Sequence, residues 1–341
     1  MALQLNIGLV SNPRTWPLLD GTIKPENIDL LPAPVREPHL GLDTIANFGP
    51  DAKSLYKYGP SESDTMVHLH ERVQRGDLDA GETAFTIAIA AADRGDNRYT
   101  TLPIFMSRRF FHMDIVAHKS IKTPADLNGK QIFVGTTPPQ VWNRGMLEHE
   151  FGVDPRSVTY WCHGAARLAP RPNINVNQIP SGKNVTSMLE SGELQASVSY
   201  PPGTANRYAW KHPDFGPLFP NTYEEGVRYY NKTGLFPMNH VLLIKRDIVE
   251  QHPWAVMSLF KAFQEAAELA DQRRLAHVGY HLELGLLPPE AEKALRMPLV
   301  RHGIQANKKV LDAYVQYAYE QGLTSRLLRL EEIFAPTAAE T

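Results

Sequence analysis

The sequence predicts an α/β fold of two lobes joined by two crossing strands, with a helical segment at the C-terminal end. Three observations predict it. Short apolar runs alternate with helical patterns, which argues for strands and helices in turn and for largely parallel sheets. Two apolar, strand-like stretches carry polar groups in their middle: Leu102 to His118, passing through Ser107, Arg108, Arg109, Phe110, Phe111 and His112, and Gly234 to Lys245, with His240 inside it. Between them lies a βαβ run of its own. The chain therefore reads lobe, crossing strand, lobe, crossing strand, lobe, tail. The expected division is 1–112 for the first part of lobe I, 113–236 for an inserted lobe II, and 237–341 for the rest of lobe I with the C-terminal helices.

Each element has its own signal. Leu3 to Val10 alternates as a strand and ends in the loop Ser11-Asn-Pro-Arg14-Thr15; Trp16 to Asp20 reads as a short helix and Ile28 to Leu31 as a strand. Residues 32–60 show no clean period. Ser61-Glu-Ser-Asp64 starts a helix that runs through Met66 to Arg75 and stops at Gly76, and the Ala-rich run Thr83 to Asp93 reads as another. Thr123 to Lys130 is a short helix turning at Gly129 into strand Gln131 to Val134. The loop Gly135-Thr136-Thr137-Pro-Pro139 opens helix Gln140 to Glu150. Val158–Trp161, Val176–Ile179 and Gln195–Ser199 read as strands, and Gly182–Ser191 as a helix. A helix through about Lys211 and one over Tyr223 to Tyr230 precede the second crossing strand. Helices over Arg246–Gln251, Pro253 to about Ala276, Pro289–Arg296 and Lys308–Glu320 complete the chain. This is the order of a two-lobed periplasmic-binding-protein-like fold, where ligand sits between lobes and closure is a hinge motion.

The composition excludes several classes. The 341 residues suffice for two domains, and 43% hydrophobic with 21% charged content suits a globular protein with real cores. Lys plus Arg (35) nearly balances Asp plus Glu (37), so no electrostatic footprint for nucleic acid or anionic membrane exists. The single cysteine, Cys162, excludes an intrachain disulfide framework and cysteine-rich metal sites. No run is long enough to span a membrane, and the N-terminus lacks the pattern of a signal peptide, so a cytoplasmic location is expected. The tail beyond about residue 280 packs on its own lobe or on a neighbouring subunit, which leaves a homo-oligomer open.

The polar insert carries the chemistry. Buried unpaired polar groups cost several kcal/mol, so Arg108, Arg109 and His112 must be solvated or face a partner. Guanidiniums suit a carboxylate and an imidazole moves protons, which points to an anion-binding cleft at the crossing. Adjacent on a strand, Arg108 and Arg109 point to opposite faces, so at most one faces it. No Gly-rich phosphate loop is present. His68-Leu-His70 and the pair His277 and His281 make poor metal sites, the first for its spacing on a helix and the second for want of a third ligand.

Several motifs together resemble the 4,5-dihydroxyphthalate decarboxylase family. They are Arg14-Thr15 with Leu18-Leu19-Asp-Gly21 and Pro25-Glu-Asn-Ile-Asp29, then Pro103-Ile-Phe with Ser107-Arg108, Phe110 and His112. Further on come Pro124 to Lys130, Val141-Trp142 with Arg144-Gly145, Thr233-Gly-Leu-Phe-Pro237 with His240, and His252-Pro-Trp254. The match covers roughly 1 to 270. It departs at Phe111, where the family usually has an arginine, and in the short loop Gly135 to Gln140.

The resemblance implies a type II periplasmic-binding fold and an enzyme acting on a small aromatic carboxylate. Such a site needs a base, an acid and a cationic clamp, and the residues offer His112 and His240 as the proton-transfer pair, expected face to face between the lobes, with Arg108 and Arg144 as carboxylate clamps. Arg14 and Arg109 are secondary clamps. Phe110 and Trp142 would stack on the ring, and Thr136 and Thr137 at a helix start offer an anion site or merely cap. No bound cofactor is needed in principle, and no metal ligand set is assigned. On this reading His112→Ala lowers decarboxylation at least about a hundredfold. Two alternatives compete: a solute-binding protein for an aromatic or other organic anion, and an enzyme of pyrimidine or thiamine-precursor synthesis on the same fold, for which no suitable cysteine or histidine cluster is present.

Overall fold

The computed structural model describes residues 2–33, 66–163, 168–169, 171–198, 212–287, 292, 295–296 and 301–341, with the side chains of 66–68 and 70 excepted. The expected irregular stretch 32–60, the helix start at Ser61, the helix through Lys211 and most of the one at Pro289–Arg296 lie outside these residues. The chain forms two compact units, each with its own sheet. The first comprises Met1–Arg108, Asn239–Lys308 and Arg329–Thr341; the second comprises Arg109–Met238 and Lys309–Leu328. The tail, assigned from sequence to lobe I, thus contributes Lys309–Leu328 to the second unit.

The sheet of the first unit has five strands in the order Ile28–Pro32, Leu3–Gly8, Ala80–Ala84, Met238–Lys245, Tyr99–Arg108. Leu3–Gly8 runs parallel to both neighbours, whereas Met238–Lys245 is antiparallel to Ala80–Ala84. The central strand Ala80-Gly-Glu-Thr-Ala84 takes in Thr83 and Ala84, which the sequence reading places in the Ala-rich helix; that helix spans Phe85–Asp93. Tertiary packing overrides its poor strand propensity. Gly81 pairs with Gly8, and helix Met66–Arg75 covers both. A Cβ on Gly8 would come within 2.3 Å of Leu69 Cδ1, and one on Gly81 within 2.6 Å of Val73 Cγ2. Small residues are therefore required where a propensity argument expects bulky ones. On this sheet lies the long helix Trp254–Glu283, burying Ala255, Leu259, Ala262, Phe263 and Ala266 at helical spacing.

The second unit has six strands in the order Phe215–Pro217, Val116–His118, Ala196–Ser197, Gln131–Val134, Thr159–Cys162, Asn175–Gln178. The last four are parallel, and Val116–His118 is antiparallel to both its neighbours. Both sheets are mixed, which corrects the expectation of largely parallel ones. Short strand Phe215–Pro217 gave no sequence signal. Helix Lys308–Glu320 packs by Tyr314 and Tyr317 on Trp142 of helix Pro138–His149, with ring centroids 5.1 and 5.8 Å apart. Gly145 makes this approach feasible, since a Cβ there would lie 2.2 Å from Tyr317 Cδ2. Gly145→Ala is expected to cost about 1–3 kcal/mol through overpacking, read as a lowered urea midpoint; an unchanged midpoint refutes it. No described helix is long and apolar enough to cross a membrane.

The stretch around His112 is not one strand. Strand Tyr99–Arg108 ends the first part of unit one, Phe111–Asp114 forms a 3-10 turn, and Val116–His118 enters the other sheet. Arg109 and His112 therefore sit off the strand, and the opposite-face argument for Arg108 and Arg109 does not apply. The break is visible in hindsight: two charged then two aromatic residues at 108–111 have no period of two.

Candidate functional site

In the first unit the register decides the chemistry. Leu242 lies opposite Glu82 and His240 opposite Ala84, so Glu82 and His240 are diagonal neighbours on one face. Their side chains meet: His240 Nδ1 is 2.7 Å from Glu82 Oε1. Glu82 is 1% exposed and His240 7%. The other carboxylate oxygen, Oε2, accepts the Val10 N–H at 3.1 Å. Val10 is held in turn, its carbonyl accepting the Thr15 hydroxyl at 2.6 Å and the Asn12 amide at 3.2 Å. A buried carboxylate is affordable only with such partners. Sequence reasoning missed Glu82, although a lone carboxylate between small residues ahead of an apolar helix was a usable signal.

Arg108, at the end of its strand, donates to Asn307 Oδ1 and to the Arg301 carbonyl at 3.3 Å, with its guanidinium 5.3 Å from the Phe105 ring. Arg14 is half-buried. Both guanidiniums act on His302, a buried residue without sequence signal, whose Nδ1 accepts the Phe105 N–H at 3.1 Å. Burial foremost, then Arg108 and Arg14, push the His302 pKa down to about 3. The unfolded chain takes that proton near 6.5, so it binds more protons than the folded one between these values. Stability therefore falls as pH drops through this window, by about 1.4 kcal/mol per pH unit for one such group. His302→Gln is expected to flatten the fall between about pH 6 and pH 4 in urea titrations; an unchanged slope refutes it.

In the second unit His112 is 2% exposed, its ring set against Phe110 and Phe219 with centroids 5.7 and 5.5 Å away. Its Nε2 is 3.0 Å from the Thr222 carbonyl oxygen. A carbonyl only accepts, so Nε2 carries the proton. Burial, the largest influence, holds the His112 pKa below the usual histidine value, and the ring is neutral near pH 7. Arg109 is exposed, pairs with Asp114 and lies over Phe111 at 5.1 Å. Phe110 packs on Phe236 at 5.0 Å. Trp142 is a core residue, 2% exposed, donating its Nε1–H to the Met238 carbonyl at 2.8 Å.

Arg144 stands apart from the other cations. It is 4% exposed on helix Pro138–His149, with Cζ 4.0 Å from the Tyr160 ring centroid. Its Nε has no hydrogen-bond partner among the described residues, while its guanidinium bonds the Tyr160 side chain and interacts electrostatically with the Glu148 carboxylate. A buried cation is costly unless it is paired. The helix start itself offers less than expected. Pro138 and Pro139 have no N–H, the amides of Gln140 and Val141 both bond the Thr137 carbonyl, and the Thr137 hydroxyl is taken by Gln140 at 2.8 Å. Thr136 is half-buried beside it.

One described group brings three metal-type ligands within 4.8 Å of one another: Glu148, His149 and Glu320. His149 is already ion-paired to Glu320 at 2.7 Å and stacked on Tyr317. His281 bonds the His277 carbonyl at 2.6 Å. Cys162 is buried, and burial pushes its thiol pKa up, the setting of an inert thiol.

Two sheets with flanking helices and this chain order define a type II periplasmic-binding-protein fold. Among solved structures the chain is similar to the periplasmic aliphatic sulphonate binding protein SsuA of Escherichia coli, with TM-score 0.51 and 13% identity over 98% of this chain and 92% of that one. It is also similar to the ligand binding component of an ABC-type import system from Staphylococcus aureus, with TM-score 0.53 and 9% identity over 99% and 98% of the two chains. These likenesses show the fold alone. No family model matches the chain. The resemblance read from the motifs does hold along the whole length: the chain is 25% identical to 4,5-dihydroxyphthalate decarboxylase of Comamonas testosteroni over 355 residues, covering 99% of this chain and 98% of that protein.

Proposed function

We propose that the protein is a decarboxylase of a hydroxylated aromatic carboxylate of the 4,5-dihydroxyphthalate type. The observation that carries this reading is the end-to-end similarity to that decarboxylase; the buried Glu82–His240 pair supplies a group fit for the proton transfer. Direct loss of CO2 from an aryl carboxylate would leave an unstable aryl carbanion. A hydroxyl para to the carboxylate opens an easier route. Removing its proton drives electron density to the ring carbon that bears the carboxylate. That carbon takes a proton, the bond to the carboxylate breaks, CO2 leaves and aromaticity returns. Overall one proton replaces one CO2.

In this reading His240 accepts the hydroxyl proton, and Arg144 binds a carboxylate as a bidentate donor. Arg108, a primary clamp in the sequence reading, becomes a secondary one here, beside Arg14. His112, with its Nε2–H on the Thr222 carbonyl and its pKa lowered by burial, is less suited to receive a proton. Phe110, Arg109, Trp142, Thr136 and Thr137 already contact protein groups or solvent, and they enter the reading as supports. The chemistry needs no bound cofactor in principle.

The second reading is a solute-binding protein for an aromatic anion, which the fold shared with the E. coli sulphonate binder favours. Incubation with 4,5-dihydroxyphthalate and with related hydroxybenzoates decides between them. Release of CO2 with formation of 3,4-dihydroxybenzoate supports the enzyme. Tight binding without product supports the binder, and no binding of any aromatic acid overturns both.

A further inference from the structure

The neighbours of Glu82 assign a direction to the proton transfer. We propose that Glu82 is a positioning residue that fixes His240 in the tautomer protonated at Nδ1, so that Nε2 is the atom that accepts the substrate's hydroxyl proton. The catalytic part rests on the decarboxylase reading above. The tautomer part does not.

The argument is a count of donors and acceptors. Glu82 Oε2 takes the Val10 N–H and Oε1 lies 2.7 Å from His240 Nδ1. An ionised carboxylate only accepts, so with Glu82 ionised Nδ1 is the donor. A neutral imidazole has one N–H only, which leaves the lone pair on Nε2. When Nε2 takes the substrate's proton, the ring becomes an imidazolium whose charge faces the Glu82 carboxylate. This is how a carboxylate behind a histidine serves a general base. His112 has the opposite arrangement. Its Nε2–H is spent on the Thr222 carbonyl, and the groups that face it are the rings of Phe110 and Phe219, with Glu225 and Arg228 acting from a distance. Among the described residues no carboxylate hydrogen-bonds its ring to receive a positive charge. The two histidines that look equivalent in sequence therefore have different capacities, and the proton carrier is His240.

Glu82→Gln separates this proposal from a purely structural role. A glutamine has one acceptor oxygen. If it keeps the buried Val10 N–H, its NH2 faces His240 Nδ1 and forces the proton onto Nε2. Long-range 15N–1H spectra of the full chain labelled at histidine, with His240 assigned by its loss in His240→Gln, read the tautomer without any substrate. The expected result is Nδ1–H in the wild type and Nε2–H in Glu82→Gln, with kcat down at least about a hundredfold and KM within about twofold. A wild-type ring protonated at Nε2 overturns the proposal, as does a Glu82→Gln variant with unchanged tautomer or near-normal kcat. If the variant does not fold, the wild-type spectrum alone still decides the tautomer. A wild type with the expected tautomer and no turnover of any hydroxybenzoate fails the decarboxylase reading and leaves the Glu82 assignment standing.

Discussion

If the protein decarboxylates 4,5-dihydroxyphthalate as proposed, His240→Gln is expected to lower that turnover at least about a hundredfold, the low end for a positioned acid or base, with KM little changed. Glutamine is the informative replacement. Its amide still donates to Glu82, so the buried carboxylate keeps two partners and the sheet around Ala80–Ala84 survives. What it lacks is a nitrogen lone pair able to take and hold a proton. Alanine confounds the two effects. It strands a carboxylate that is 1% exposed, at a cost of about 3–5 kcal/mol, so His240→Ala is expected to lose stability as well as activity. Steady-state kinetics on the glutamine variant and urea titrations on both test this. Turnover of His240→Gln within about tenfold of wild type removes His240 from the chemistry.

Arg144→Met weakens binding of the aromatic carboxylate by about 30-fold or more, equivalent to about 2 kcal/mol at the least for a desolvated charge pair, yet leaves stability unchanged or raises it. The opposite signs are the point of the experiment. A guanidinium 4% exposed, stacked at 4.0 Å on Tyr160 and with its Nε unbonded among the described residues, pays a desolvation cost that the ring contact, about 0.5–2 kcal/mol, the Tyr160 hydrogen bond and the Glu148 carboxylate recover only in part. Methionine fills similar space without that cost. Proteins retain such a strained group where function needs it. Calorimetric titration with 4,5-dihydroxyphthalate and a urea curve give the two numbers. A variant that binds normally but is destabilised by about 3 kcal/mol would make Arg144 a structural stack on Tyr160.

These two residues differ in how far the sequence foretold them. Both were singled out there, but only as side chains of the right chemistry in a promising run. Arg144 was an even choice between solvent and interior, because a helix of mixed composition does not reveal which face is covered. The cover on the Arg144 side comes from Tyr160 of strand Thr159–Cys162, whereas Tyr314 and Tyr317 of helix Lys308–Glu320 pack on Trp142 and Gly145. His240 was found, its partner was not. Glu82 sits in Ala-Gly-Glu-Thr-Ala, a string that no propensity scale makes a strand.

Much of the order of elements, the alternation of strand and helix, the strand around His240 and the likeness to one decarboxylase were legible in the chain, because they rest on local periodicity and on short motifs. Strand pairing was not, and pairing is what turned a lone histidine into a buried acid–base couple. Diagonal neighbours across an antiparallel ladder are 158 residues apart in the chain, and a shift of one residue in register would send one of the two side chains to the other face. Residue type supplied the reactive groups; long-range packing chose which of them are buried, which are paired and which nitrogen carries the proton.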